Sequence, residues 1–187
     1  MQNFKKYIVP FVDNDSMGCG FFIRNYFVTA AHLFDEYETH TIFFNGLYHN
    51  FNKSDAVYFK SFEANEPDDV QQDIAIFPFN DINSPLKLSP VRPNLNSYLY
   101  SYSYTQSHGT LDPFTMIKSE CIVKRDLFNF FECKTDKILK SGSSGSPLMI
   151  ENIVYGILSG CLDISNQPDF ILFCSTTNLP TLCQFNY

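Results

Sequence analysis

Apolar residues recur along this chain in short bursts rather than at helical spacing. Runs of four to eleven residues rich in Phe, Tyr, Ile and Val are bounded by Gly, Asn, Asp and Pro, the pattern of strands joined by turns. The strands so predicted are Tyr7–Val12, Gly20–Ile23, Tyr26–Ala30, Thr41–Phe44, Ala56–Phe62, Ile74–Phe79, Ser97–Tyr104, Phe114–Lys124, Phe128–Lys134, Pro147–Ile150, Ile153–Leu158 and Asp169–Ser175. In Ser101-Tyr102-Ser103-Tyr104 the alternation is strict, so serines take one face and tyrosines the other. No long amphipathic helix emerges. Short helical turns are expected after Ala30-Ala31-His32 and within Asn178–Phe185. So many closely spaced strands indicate an all-β sandwich or barrels. The segment Ile82–Asn96 carries Pro85, Pro90 and Pro93 and reads as a connector, dividing the chain near 1–88 and 89–187.

Composition sharpens this reading. The chain has 187 residues with 20 Phe and 11 Tyr but no Trp, and these aromatics favour strands. Hydrophobic residues make up 44% and charged residues 18%, enough for a packed core and unlike a disordered chain. The formal charge is −7, which argues against nucleic acid or an anionic membrane as partner. No apolar run approaches the roughly 18 residues that span a bilayer. After Lys5-Lys6 only a weak apolar stretch precedes Asp13, so no signal peptide is read and a cytoplasmic location is expected. The six cysteines, Cys19, Cys121, Cys133, Cys161, Cys174 and Cys183, form no CxxC pair and no metal-ligand spacing. Free thiols in a reducing compartment are expected. Cys121 and Cys133 lie where a hairpin would bring them near each other, and spacing alone leaves their pairing open.

Three segments carry candidate chemistry. In Ser141-Gly142-Ser143-Ser144-Gly145-Ser146-Pro147 a serine sits among small residues that suit a tight turn, where neighbouring N–H groups converge on one point. Such a turn can hold an oxyanion. A phosphate-binding loop is the poorer reading, because no Lys follows as that pattern requires. In Phe27-Val28-Thr29-Ala30-Ala31-His32 a β run ends on two alanines, small enough for an imidazole to lie against the backbone. In Asp73-Ile74-Ala75-Ile76 an acid opens an apolar strand. Buried beside a histidine it would fix the tautomer and stabilise the imidazolium. Taken singly, each has a bland reading as loop, surface or turn residue. His40, His49 and His108 have nothing around them that suggests chemistry.

Together, in the order His, Asp, Ser, the three segments resemble the chymotrypsin-like serine proteases, in the Ser-Gly-Ser-Pro style of the bacterial and viral branches. Thr29-Ala30-Ala31-His32, Asp73-Ile74-Ala75-Ile76 and Gly142-Ser143-Ser144-Gly145-Ser146-Pro147 match that superfamily's motifs, and Gly156-Ile157-Leu158-Ser159-Gly160 resembles its substrate-pairing segment. The resemblance implies two six-stranded antiparallel β-barrels with the active site in the cleft between them. It implies a serine endopeptidase working through an acyl-enzyme, with His32, Asp73 and Ser144 catalytic and the N–H groups of Gly142 and Ser144 as oxyanion hole. A polypeptide substrate is expected, and no metal or organic cofactor.

Departures from the family pattern inform the rest. Ser143 stands where the digestive enzymes carry an Asp that pairs with a cleaved N-terminus, so that activation is not expected. Leu33 stands where a cysteine usually follows the histidine. By alignment the specificity pocket is lined by Ile138, Leu158, Ser159, Gly160 and Cys161. This predicts an apolar or aromatic side chain before the scissile bond. Asp169, if it points inward, would select Lys or Arg instead. The alternative function is a catalytically silent protease-like binding module in a larger assembly with a partner protein. An α/β-hydrolase is disfavoured by its Ser, Asp, His order.

Overall fold

The computed structural model of the chain describes residues 3–13, 18–80, 82–106, 114–137, 139, 142–160, 169–177 and 179. The expected turn within Asn178–Phe185 and the residues Ile138, Cys161 and Cys183 lie outside them. The fold is all-β. The first half holds β1 (Ile8–Pro10), β2 (Cys19–Ile23), β3 (Tyr26–Thr29), β4 (Thr39–Phe44), β5 (Leu47–Asn52), β6 (Tyr58–Lys60) and β7 (Ile74–Pro78). Its five-stranded sheet runs β1-β2-β3-β7-β6, and the hairpin β4-β5 joins it through a bridge between Phe11 and Ile42. Strand β2 is buried along its whole length, which is why it reads as a continuous apolar run rather than an alternating one.

Strand β5 is absent from the predicted set. Its sequence, Leu47-Tyr48-His49-Asn50-Phe51-Asn52, buries only Phe51 and is otherwise too polar to stand out. The overlooked signal is Asn45-Gly46, with φ of 51° and 81°, a turn with two left-handed residues that suits a two-residue hairpin.

The second half holds β8 (Lys87–Leu88), β9 (Tyr98–Gln106), β10 (Phe114–Leu127), β11 (Phe130–Thr135), β12 (Pro147–Ile150), β13 (Ile153–Gly160) and β14 (Phe170–Ser175). Six of these strands close on themselves in the order β12-β9-β10-β11-β14-β13, with β13 pairing back to β12. The short β8, from the connector, lies parallel to β13. Within Tyr98–Gln106 the alternation holds: Ser101 and Ser103 are buried towards the barrel interior, whereas Tyr104 reaches out to donate to the Ile8 carbonyl at 3.0 Å.

Three apolar clusters hold this together. Phe11, Phe22, Phe27, Phe34, Phe51 and Phe77 fill the first half. The Phe27 and Phe51 rings stack at 4.4 Å, a contact worth about 0.5–1.5 kcal/mol beyond area burial. Leu99, Phe131, Leu148, Leu158 and Phe173 fill the second. The third cluster spans both, joining Phe21, Val28 and Ile76 to Tyr102, Met149 and Ile157. Close-packed interiors resist sliding, so this shared core sets one half against the other. Among the described residues no helix is long and apolar enough to cross a membrane.

Candidate active site

Each of the three candidate residues sits in a turn or loop next to a strand, His32 after one and Asp73 and Ser144 before one. After β3 the chain stays extended at Ala30 and then turns through a 3-10 helix, Ala31–Phe34. Ala30 and Ala31 are fully buried, and their small side chains let this turn pack on the sheet and present His32 at its surface. Asp73, 3% exposed, immediately precedes β7. Because β3 and β7 are paired, with Thr29 opposite Ala75, the two residues meet. Ser144 lies in the turn before β12, on the other half of the molecule.

The geometry is that of a relay. His32 Nδ1 lies 2.6 Å from Asp73 Oδ2, and the His32 backbone N–H donates to Asp73 Oδ1 at 2.8 Å. A carboxylate only accepts, so Nδ1 carries the hydrogen and Nε2 is left as acceptor. Ser144 Oγ lies 3.1 Å from that Nε2. Burial works against the His32 imidazolium, but the hydrogen bond and charge of Asp73, with the charge of Asp35, outweigh it and raise the pKa above its ordinary value. Asp73 is held from the second half as well. Ser159 Oγ donates to Asp73 Oδ2, and the Asp73 backbone N–H donates to Cys174 Sγ at 3.4 Å. The turn of Asn129, between β10 and β11, reaches over with Nδ2 donating to the carbonyls of Asp69 (2.8 Å) and Gln71 (3.0 Å).

The serine turn is seated on the first half through its backbone. The Cys19 N–H donates to the Ser144 carbonyl at 2.9 Å. Gly145, at φ 87°, lies so close to β2 that an added Cβ would stand 1.9 Å from the Cys19 carbonyl oxygen and 2.5 Å from Thr29 Oγ1. Only glycine fits both that approach and that φ. Ser146 Oγ donates to the Ser143 carbonyl at 2.6 Å and lies 3.0 Å from Cys19 Sγ. Gly145 N–H donates to the Leu158 carbonyl, and Leu158 N–H to that of Ser146, at 2.9 and 2.8 Å. Gly142 has φ 98°.

Other sequence-selected residues are placed differently. The Leu158 side chain is 4% exposed and packs in the core of the second half. Ser159 donates to Asp73, and among the described residues nothing beyond its chain neighbours lies within 4 Å of where a Gly160 Cβ would be. Asp169 Oδ2 lies 3.8 Å from Lys134 Nζ on β11. Cys19, Cys121, Cys133 and Cys174 are free and buried. Burial pushes the thiols of Cys19 up to about 11 and of Cys121 and Cys174 up to about 12, and raises that of Cys133 as well. None is a thiolate nucleophile at neutral pH. Among the described residues, no three His, Cys, Asp or Glu side chains gather as a metal would require.

Sequence reasoning overlooked Cys19, Cys174 and Asn129. All three act through the backbone or on it, from positions remote in sequence, and no local pattern marks them. Thr29 and Ser146 lay inside recognised motifs, but their hydroxyl partners become visible only in three dimensions.

No protein-family model and no curated protein matches the chain. Solved structures do. Neuropsin, a serine protease expressed in the limbic system of mouse brain, superposes with TM-score 0.71 at 12% identity, over 98% of this chain and 96% of that one. An inactivated protease paralogue of the scabies mite gives 0.67 at 16%, over 96% and 93%. The serine protease of a human pathogenic astrovirus gives 0.58 at 18%, over 94% of each. At such identities the likeness is one of architecture, and it agrees with the closed six-stranded barrel and the strand order described above: the chain has the chymotrypsin-like serine protease fold.

Proposed function

We propose that the protein is a serine endopeptidase acting through His32, Asp73 and Ser144. The observation that carries this reading is the unbroken line of hydrogen-bonding contacts from Asp73 Oδ2 through both His32 nitrogens to Ser144 Oγ, at 2.6 and 3.1 Å. In the mechanism, Ser144 Oγ attacks the scissile carbonyl carbon and its proton passes to His32 Nε2. Asp73, nearly excluded from solvent, stabilises the imidazolium so formed. The carbonyl oxygen becomes an oxyanion held by the N–H groups of Gly142 and Ser144, each worth about 3–4 kcal/mol in the transition state. His32 then returns the proton to the leaving amine. Water, deprotonated by the same nitrogen, hydrolyses the acyl-enzyme and frees Ser144. The proton inventory closes within the three residues, so no cofactor enters the scheme. The pairing of Asp169 with Lys134 supports an apolar rather than a basic residue before the scissile bond.

A catalytically silent binding module is the second reading, because one similar structure is an inactivated protease paralogue. The three side chains present here, in mutual contact, oppose it. A fluorophosphonate probe decides between the two. Covalent labelling of the native protein at Ser144, lost in Ser144→Ala and in unfolded protein, supports the protease. Native protein that stays unlabelled while folded refutes it.

A further inference from the structure

Nothing in the sequence around His40 suggests chemistry, yet its surroundings in the fold are specific. The ring is 1% exposed. It stacks on Phe11 at 4.6 Å and 21°, and meets the edge of Phe34 at 4.6 Å and 79° and of Tyr37 at 6.1 Å. Its Nδ1 lies 2.8 Å from Asp13 Oδ2 and its Nε2 lies 2.6 Å from the Leu33 carbonyl oxygen.

Both partners are acceptors. The Thr41 backbone N–H donates to both Asp13 oxygens, at 2.8 and 3.1 Å, and a backbone carbonyl has no hydrogen to give. A neutral imidazole offers one N–H and one lone pair, so one contact would set lone pair against lone pair. With a hydrogen on each nitrogen both contacts are satisfied, and Asp13 supplies the counter-charge next to an apolar aromatic nest.

The Leu33 carbonyl belongs to the 3-10 turn that carries His32. This turn has only four residues, Ala31–Phe34, and one closing bond, from the Asp35 N–H to the His32 carbonyl at 3.1 Å. Apart from that bond, among the described residues two side chains hold its backbone by hydrogen bonds: Asp73 from the His32 N–H side and His40 from the Leu33 carbonyl side. Asp13 is itself anchored, since the Val12 N–H donates to the Thr41 carbonyl at 2.8 Å beside the Phe11–Ile42 bridge. A rigid path therefore runs from the hairpin β4-β5 to the residue after His32.

We propose that His40, donating from both ring nitrogens and backed by Asp13, is a positioning residue that clamps the His32 turn and so sets the angle at which the His32 imidazole meets Ser144. The proposal rests on the protease reading for its catalytic consequence, but not for its geometry. His40 acts on the turn through the Leu33 carbonyl rather than on a reacting atom.

His40→Phe tests it, because the ring stacking is kept and both hydrogen bonds are deleted. Displacement of the catalytic group by a fraction of an ångström to one ångström is expected to lower kcat on the order of ten- to hundredfold while KM changes by no more than about twofold. In parallel, proton NMR should show the low-field Nδ1–H signal of His32 shifted or broadened in the folded variant. Nitrogen-15 NMR of the wild type should show a hydrogen on each His40 ring nitrogen, as the two acceptor contacts require. Should His40→Phe fail to fold, Asp13→Asn is measured in the same way, with a smaller fall in kcat expected, and the nitrogen measurement needs no variant. A folded His40→Phe with kcat within about threefold of wild type and an unmoved His32 signal overturns the proposal. So does a wild-type His40 with one bare ring nitrogen. If the wild type proves inert to fluorophosphonate, the protease reading fails, while the His32 signal still decides whether His40 positions it.

Discussion

Replacing Gly145 by alanine asks whether the nucleophile turn owes its place to the backbone of the opposite half. The new Cβ would stand 1.9 Å from the Cys19 carbonyl oxygen, where real contacts do not fall below 3.0 Å, so the turn must retreat by about 1.1 Å. Thr29 Oγ1, 2.5 Å from the same Cβ, blocks sideways escape. A retreat of that size opens the 3.1 Å Ser144–His32 contact to about 4 Å, beyond hydrogen bonding. Misplacement by about 1 Å lowers the rate on the order of a hundredfold. The variant must also hold alanine at φ 87°, which costs about 1–2 kcal/mol, and weaken the bonds from Cys19 to Ser144 and from Gly145 to Leu158, at about 0.5–1.5 kcal/mol each. A loss of roughly 2–5 kcal/mol in stability follows. The assays are the rate of fluorophosphonate labelling, kcat/KM on a peptide substrate, and Tm. Adding Thr29→Ala removes the side-chain contact but leaves the backbone one, so the double variant is expected to stay slow. Labelling of Gly145→Ala within about threefold of wild type, at unchanged Tm, would refute this account of the turn.

Other outcomes follow from the same geometry. Ser144→Ala should abolish turnover and leave Tm nearly unchanged, because a single hydroxyl at the rim of the site contributes little to packing; substantial residual turnover on a good substrate would displace Ser144 as nucleophile. Since attack requires neutral His32 and its pKa is raised, kcat/KM should fall with decreasing pH along a limb set above the ordinary histidine value. Asp73→Asn removes the larger of the causes that raise it and leaves only the charge of Asp35, so the limb should move down in pH as the rate drops by about 10⁴; a limb that stays put would show that Asp73 is not the main cause. The same shift favours folding below about pH 6.5, the unfolded histidine value, and that share of stability is lost as pH rises through the folded value. The thiols of Cys19, Cys121, Cys133 and Cys174 should resist iodoacetamide in the native protein and react once it is unfolded without reductant; a disulfide-linked peptide containing any of them would contradict this.

The three motif segments were legible because each is local. A serine among glycines, a histidine after two alanines and an acid opening an apolar strand are all decided by neighbours within a few residues. The strands were legible for the same reason where they bury one or both faces, as at Cys19–Ile23 and Ile74–Pro78. The polar strand Leu47–Asn52 escaped because its pairing with Thr39–Phe44, not its own hydrophobicity, makes it a strand. What no local pattern carries is the distance between segments more than a hundred residues apart. Only the packed core shared by the two halves brings Ser144 to within 3.1 Å of His32. The roles of Cys19 and Cys174 are likewise tertiary, because a thiol reads in sequence as a small hydrophobe whatever it touches. His40 is the sharpest case: its neighbours in sequence are unremarkable, and its meaning comes from an aspartate and a carbonyl that the fold, through the bridge from Phe11 to Ile42, sets on opposite sides of one buried ring.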